Sequence, residues 1–327
     1  MIRKIISFLT LYLLALNLTF AENLDFSRKS DLEILQLTRV VSLNKTFTGL
    51  VVAHNIGGEK LLARVSQGLV DNTIQKKRKI LDNGVEYIHS GHEIREYFPN
   101  EKVVKIYNNA LPVFPNFLLN DPNEVLRYYN LLRYGSSNTS VADKNSFVFE
   151  LKSKDKLRWG VKFWLDSQTG LLLKLHYLDQ NSNILKKELF AEISIEPSNK
   201  MDLKFSSPDS NNWRKIYIST FADEKDGLVY NKKLNNGFVF VKCLDSKVYD
   251  FKKTQDSNFI HHQCLYSDGV AIVSAVTQNR TRPIRVFQRT NGCMSEKVGL
   301  KGNKPMYVGG CVPAKTIQYF FNKLSVE

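Results

Sequence analysis

The stretch WLDSQTGLLLKLHYLDQNSNIL, Trp164 to Leu185, holds two apolar runs and two polar breaks. SQTG and QNSN are rich in turn formers, and Gly170 suits a position of positive φ. LRWGVKFWLD leads into the stretch and ILKKELFAEISI leads out of it, so it reads as strand, turn, strand, turn, strand. With Ser167–Gly170 as the first turn, Trp164 is expected opposite Leu173. One face then carries Trp164, Leu171, Leu173, Leu175 and Tyr177. The other carries Phe163, Leu165, Leu172 and Leu178, with Lys174 and His176 among them. Both faces are largely apolar, unlike a sheet with one side in water. Each should therefore be covered, by helices on one side and by a second domain or a ligand on the other.

The polar residues of this stretch invite an acid/base reading, but Asp166 and Asp179 each end a strand, where aspartate favours turns. His176 stands mid-strand with no evident partner. Upstream, FTGLVVAH, EKLLARVSQG, VEYIHSG, HEIREYF, KVVKIYN and SFVFELKS read as further short strands. Ser30 and Glu33 form a capping box that opens a helix with Leu32, Leu35, Val40 and Val41 on one stripe. A second helix is expected from Asp121, with Pro122 at its first position and Val125, Tyr128, Tyr129 and Leu132 facing one way. The result is an antiparallel α+β domain. EPSNKMDLKFSSPDSNNW, ending at Trp213, reads as a linker. A smaller β-rich α+β domain follows, with strands GFVFVKCL, HHQCLYSDG, GVAIVSAVTQ and MYVGGC. Its closing helix begins at Pro313, with Ile317, Phe320, Phe321 and Leu324 on one stripe.

Arg3 and Lys4, the uncharged apolar run Ile5–Leu18 and the small residues before Ala21 have the form of a secretory signal cut after Ala21. The expected divisions are 1–21 signal peptide, 22–196 first domain, 197–213 linker and 214–327 second domain. The chain carries a formal net charge of +14. In an exported protein such a charge points to anionic lipid, lipopolysaccharide or an acidic protein partner rather than to nucleic acid. Cys243, Cys264, Cys293 and Cys311 all lie in the last third of the chain, and export makes disulfides the default. Three pairings are possible. Cys293 and Cys311 are equidistant from Gly302 in the turn segment GLKGNKP, and Cys243 and Cys264 flank a polar loop in the same way. Cys243–Cys264 and Cys293–Cys311 are thus expected, with a metal site of His261, His262 and Cys264 as the rival.

The sequence contains no G-x-S-x-G, H-E-x-x-H or P-loop pattern, and no catalytic residue or cofactor is expected. His89 and His92 flank Gly91 in a hairpin turn and make a weak metal pair. The basic run Lys76, Lys77, Arg78 and Lys79 would place charge on both faces of a strand. It is expected at an exposed edge, where it either blunts edge pairing or forms an anion patch for phosphorylated lipid. LPVFPNFLL, Leu111 to Leu119, is an apolar loop with two prolines; its Phe114 and Phe117 either plug the core or cover an apolar cavity.

Four stretches together resemble the RseB/MucB family of periplasmic regulators of sigma-E activity. They are Phe47-Thr48-Gly49; Asp82–Ile88 continuing to Glu93-Ile94 and Tyr97-Phe98-Pro99; Trp164-Leu165-Asp166 through Thr169-Gly170-Leu171 to Leu178-Asp179; and Leu265–Gly269 with Gly309–Pro313 and Thr316. The resemblance implies a LolA-like first domain, an unclosed antiparallel β half-barrel whose concave side is plugged by helices. It further implies a small second domain that takes part in binding the periplasmic part of an RseA-type anti-sigma factor. Such binding would shield that factor from proteolysis, and lipid or lipopolysaccharide would release it. A lipid-holding barrel would give Trp164, Leu171, Leu173, Leu175, Tyr177, Phe114 and Phe117 a pocket to line. A lipid or lipoprotein carrier of the same fold is the alternative. The four cysteines are not demanded by the family pattern.

Overall fold

The computed structural model of the protein describes residues 24–70, 73–108, 114–119, 121–195, 207–218, 234, 236–246, 261–278 and 285–324. The chain enters through helix α1 (Asp31–Asn44) and continues into β1 (Phe47–Asn55), β2 (Lys60–Val70), β3 (Thr73–Ile80), β4 (Glu86–Ser90), β5 (Glu93–Phe98) and β6 (Val103–Asn108). Helix α2 (Pro122–Tyr128) runs directly into β7 (Tyr129–Ser136), followed by β8 (Ser146–Ser153), β9 (Gly160–Asp166), β10 (Leu172–Leu178) and β11 (Ile184–Ile195). Then come β12 (Arg214–Ile218), β13 (Val239–Ser246), β14 (His261–Ser267), β15 (Ile272–Gln278), β16 (Phe287–Asn291), β17 (Met294–Lys301), β18 (Lys304–Gly310) and helix α3 (Ala314–Lys323).

Two meanders, β1–β6 and β7–β11, join where β1 pairs with β11. The resulting twelve-stranded sheet runs β12-β6-β5-β4-β3-β2-β1-β11-β10-β9-β8-β7, and its two outer strands do not meet. It is an unclosed half-barrel, antiparallel throughout except where β12 lies parallel to β6. Arg214–Ile218, expected to open the second domain, thus extends the first sheet. A second sheet, β13-β14-β15-β18-β17-β16, carries α3.

The capping box of α1 forms as its sequence dictates: the Ser30 hydroxyl accepts from Glu33 N–H, and the Glu33 carboxylate accepts from Ser30 N–H. Its buried stripe is Ile34, Leu35, Thr38 and Ser42, and Val40, expected inside, is exposed. Gln67 of β2 closes the other end of the helix, donating to the carbonyls of Ser42 and Lys45, which have no partner within the helix. In α2, Asp121 caps Asn123 N–H and Pro122 stands at the first turn, but the helix ends at Tyr128. Tyr129 and Leu132 therefore belong to a strand, where alternation replaces helical spacing, and Leu132 faces solvent. α3 buries Ile317, Phe320 and Phe321 as its stripe implies.

The core of the first unit is formed by α1, the segment Phe114–Leu118, α2 and the facing side of β7–β11. Phe117 packs on Phe163 with ring centroids 5.3 Å apart, and Phe163 stacks on Phe149 at 5.5 Å. The β9–β10 register departs from expectation at one point. Leu165 pairs with Leu172 as foreseen, but the pairing then shifts, and Trp164 faces Lys174 rather than Leu173. A single extra residue in one strand inverts the faces beyond it. Trp164 therefore shares a face with Lys162, Lys174 and His176, opposite to Leu175 and Tyr177.

Both expected disulfides are present. Cys243 and Cys264 are direct cross-strand partners with Cα atoms 4.1 Å apart, and Cys293 and Cys311 bridge at 4.8 Å. The first bond uses the thiol that the rival metal site would have needed. Gly302 turns β17 into β18 at a φ of 58°, a left-handed conformation that glycine adopts without strain.

Candidate ligand cavity and domain junction

The basic run lies on β3, an interior strand between β2 and β4, so the expected exposed edge is corrected. Alternation along the strand divides its charges. Lys77 and Lys79 both ion-pair with Glu86 of β4, at 2.9 and 2.8 Å. Lys76 and Arg78 point the other way, into a cavity of about 780 Å³. Two cross-strand rows spanning β3 to β6 form one side of this cavity: Lys76, His89, Ile94 and Tyr107, and Arg78, Tyr87, Glu96 and Lys105. Arg39, Ser42 and Leu43 of α1 bound it as well, together with Phe114, Pro115, Asn116, Leu118 and Leu119. Leu244 of β13 and Gln263 of β14 complete it from the second sheet.

The electrostatics of the cavity favour an anion. Burial pushes the Lys76 ammonium below its ordinary pKa, and among the described residues no carboxylate raises it. Burial also lowers Arg78, partly countered by Glu188. His89 is lowered by burial and then by Lys76 and His92, although its ring contact with the Gly91 carbonyl acts the other way. Tyr87 is pushed up to about 12, first by burial and then by Glu96. Cationic groups in a partly apolar chamber gain more from a bound anion than they would in water.

Of the residues expected to hold a lipid, Phe114 bounds the cavity, as do Lys76 and Arg78 of the expected anion patch; Lys77 borders it with its ammonium turned to Glu86, and Lys79 lies outside it on Glu86 as well. Trp164, Leu171, Leu173, Leu175, Tyr177 and Phe117 do not. Leu171, Leu173, Leu175 and Phe117 are consumed by the core, and Trp164 is carried to the other face by the β10 bulge. Asp166 and Asp179 do turn work: Asp166 accepts from Thr169 N–H and Oγ1, and Asp179 accepts from Asn181 N–H and Asn183 N–H.

Sequence reading missed the junction between the two sheets. Arg158, at the entry to β9, is fully buried, with its guanidinium between the rings of Tyr128 and Phe238 at 4.5 and 5.1 Å. Its Nε donates to Asp268 Oδ2 at 2.7 Å, another nitrogen donates to the Asn236 carbonyl, and Asp155 takes a third contact. Asp268 also accepts from the Tyr129 hydroxyl at 3.0 Å and, through Oδ1, from the N–H groups of Val270 and Ala271. The YSDG motif thus makes a turn and fills the junction with one carboxylate. Further ties run from Leu119 N–H to the Gly269 carbonyl, from the Trp159 indole to the Cys293 carbonyl, and from Thr316 to the Leu157 carbonyl. Asn55 and the Asn291–Cys293 turn exchange two hydrogen bonds. In the sequence Arg158 closes the charged run KSKDKLR, where it is indistinguishable from a surface charge.

The family model for the MucB/RseB N-terminal domain matches residues 31–211, more than half of the chain. The chain belongs to the MucB/RseB family. The likeness extends over both units. The crystal structure of MucB in complex with MucA(peri) superposes with a TM-score of 0.64 at 16% identity, covering 89% of this chain and 96% of that one. The Pseudomonas aeruginosa MucA/MucB complex gives 0.65 at 16%, with coverage of 91% and 98%. MucB alone gives 0.65 at 16%, with coverage of 90% and 97%. At this identity the likeness is one of fold. No curated protein sequence matches significantly. Among the described residues, no helix is long and apolar enough to cross a membrane.

Proposed function

We propose that this MucB/RseB family member is an exported regulator that binds the periplasmic part of a MucA- or RseA-type anti-sigma factor and responds to lipid. Bound, it shields that factor from proteolysis; lipid or lipopolysaccharide entering the cavity releases it. The observation that carries this reading is the composition of the cavity boundary. Lys76 and Arg78 offer charge to an anionic headgroup, Phe114, Leu118 and Leu119 offer apolar surface to acyl chains, and Leu244 and Gln263 belong to the other sheet. A ligand seated there touches both units at once and so has differential contacts with any two arrangements of them, which a ligand-driven switch requires. The MucB–MucA complexes supply the partner class. Binding, not catalysis, is the activity.

A pull-down with the periplasmic segment of the cognate anti-sigma factor tests the reading. Capture by the lipid-free protein is expected. Absence of capture, with lipid uptake intact by native mass spectrometry, would leave a lipid carrier on the same fold.

A further inference from the structure

On the face of the large sheet away from the cavity, one cross-strand row carries an unusual set of side chains. Reading across β9, β10, β11, β1 and β2, the partners are Lys162, His176, Lys187, His54 and Lys60. Lys174 lies two residues from His176 on the same face. The nearest carboxylate in the row, Glu150 of β8, pairs with Lys162 in register, and its Oε2 accepts the Tyr134 hydroxyl at 2.8 Å. Like charges close together across strands are destabilising, so fold stability does not select such a row.

The centre of the row is built rather than merely charged. His176 is only 7% exposed, and its Nε2 has no hydrogen-bond partner among the described residues. Its ring packs on Trp164 with centroids 4.8 Å apart. The Lys174 ammonium lies over the Trp164 ring at 4.4 Å, and that of Lys162 lies over Tyr134 at 4.1 Å. Lys174, Lys187 and Lys162 all act electrostatically on the imidazole. A buried polar atom left unpaired costs free energy, and several ammonium groups converging on it supply what a multivalent oxyanion needs.

We propose that Lys162, Lys174 and Lys187, set around the unpartnered Nε2 of His176, form a binding site for a phosphate-class oxyanion on the outer face of the half-barrel. The anion takes charge-assisted hydrogen bonds from the ammonium groups and a hydrogen bond from the Nε2–H tautomer of His176, with Trp164 and Tyr134 walling the site. Free phosphate and the phosphomonoester headgroup of a lipid share this chemistry. The site is separate from the cavity and does not depend on the cavity's function.

The test uses full exported protein with ¹⁵N-labelled histidine. In one arm inorganic phosphate is titrated at constant ionic strength against a chloride control. In the other, the protein is sedimented with phosphatidylcholine vesicles with and without phosphatidic acid. A saturable shift of the His176 ring resonance with phosphate identifies a free-anion site. Sedimentation that needs phosphatidic acid and the lysines identifies a headgroup site. In either case the doubly substituted K162M/K187M protein should lose affinity about tenfold or more. Methionine retains much of each apolar stem, and removing like charges should leave the melting temperature unchanged or higher, which separates lost binding from lost folding. The proposal is overturned if the His176 resonance does not move and vesicle binding is the same in K162M/K187M as in the unsubstituted protein.

Discussion

Arg158 and Asp268 are the residues on which the junction depends, because each is a fully desolvated charge with the other as its main partner. Removing Arg158 leaves Asp268 buried with no ion-pair partner among the described residues, and removing Asp268 leaves the buried Arg158 with only the partly exposed Asp155. Asp268→Ala should cost about 3–5 kcal/mol, measured by urea denaturation. Replacing both members with apolar side chains should cost much less than the sum of the single changes, and strict additivity in the double-mutant cycle would contradict the account. His176 gives a pH prediction. Burial, followed by Lys174, Lys187 and Lys162, holds its pKa down to about 3, against an ordinary value of 6.5. As pH falls below 6.5 the unfolded chain takes up the proton before the folded one, so the stability due to the neutral ring is present above 6.5 and is lost toward about 3. The slope should be on the order of 1 kcal/mol per pH unit. His176→Gln should flatten the dependence of the denaturation midpoint on pH across that window; an unchanged slope would show that another group governs it.

Local signals carried most of the elements. The Ser30–Glu33 box, Pro122 and Pro313 placed helix starts to within a residue, because capping chemistry is read from adjacent side chains. The strands of the Trp164–Leu185 meander formed, yet the face assignment failed at one bulge, which has no signature in three consecutive leucines. Lys76–Lys79 looked like an edge because four cations in a row suit no interior strand. Glu86, on the neighbouring strand, and a cavity on the other face make the position tolerable, and neither is visible locally. The site was therefore partly legible: its cations and Phe114 were, while α1, β5, β6 and the second-sheet residues that bound it come together only in three dimensions. The hairpin β17–β18 makes a prediction at this scale. Its disulfide closes a separation of 18 residues, and the Cys293 backbone also holds Trp159 and Asn55. Substituting serine at both Cys293 and Cys311 should lower stability by about 3 kcal/mol, while a change well under 1 kcal/mol would mean the bond is not formed in solution.

At the scale of the molecule, the two sheets meet along buried polar contacts at one place and share the wall of a cavity at another. Polar, well-satisfied junctions hold a defined arrangement without the large apolar area that would make it permanent. That combination fits the proposed holding and release of a partner. A ligand whose headgroup meets Lys76 and Arg78 and whose chains pass Phe114 toward Leu244 would shift the relation between the units in proportion to its differential affinity. The most direct measurement is release of a captured anti-sigma periplasmic segment during titration with lipopolysaccharide, compared between the unsubstituted protein and K76Q/R78Q. The account predicts capture by both and lipopolysaccharide-driven release from the unsubstituted protein, with at least about tenfold more ligand needed for the variant. Equal release from both proteins would contradict it.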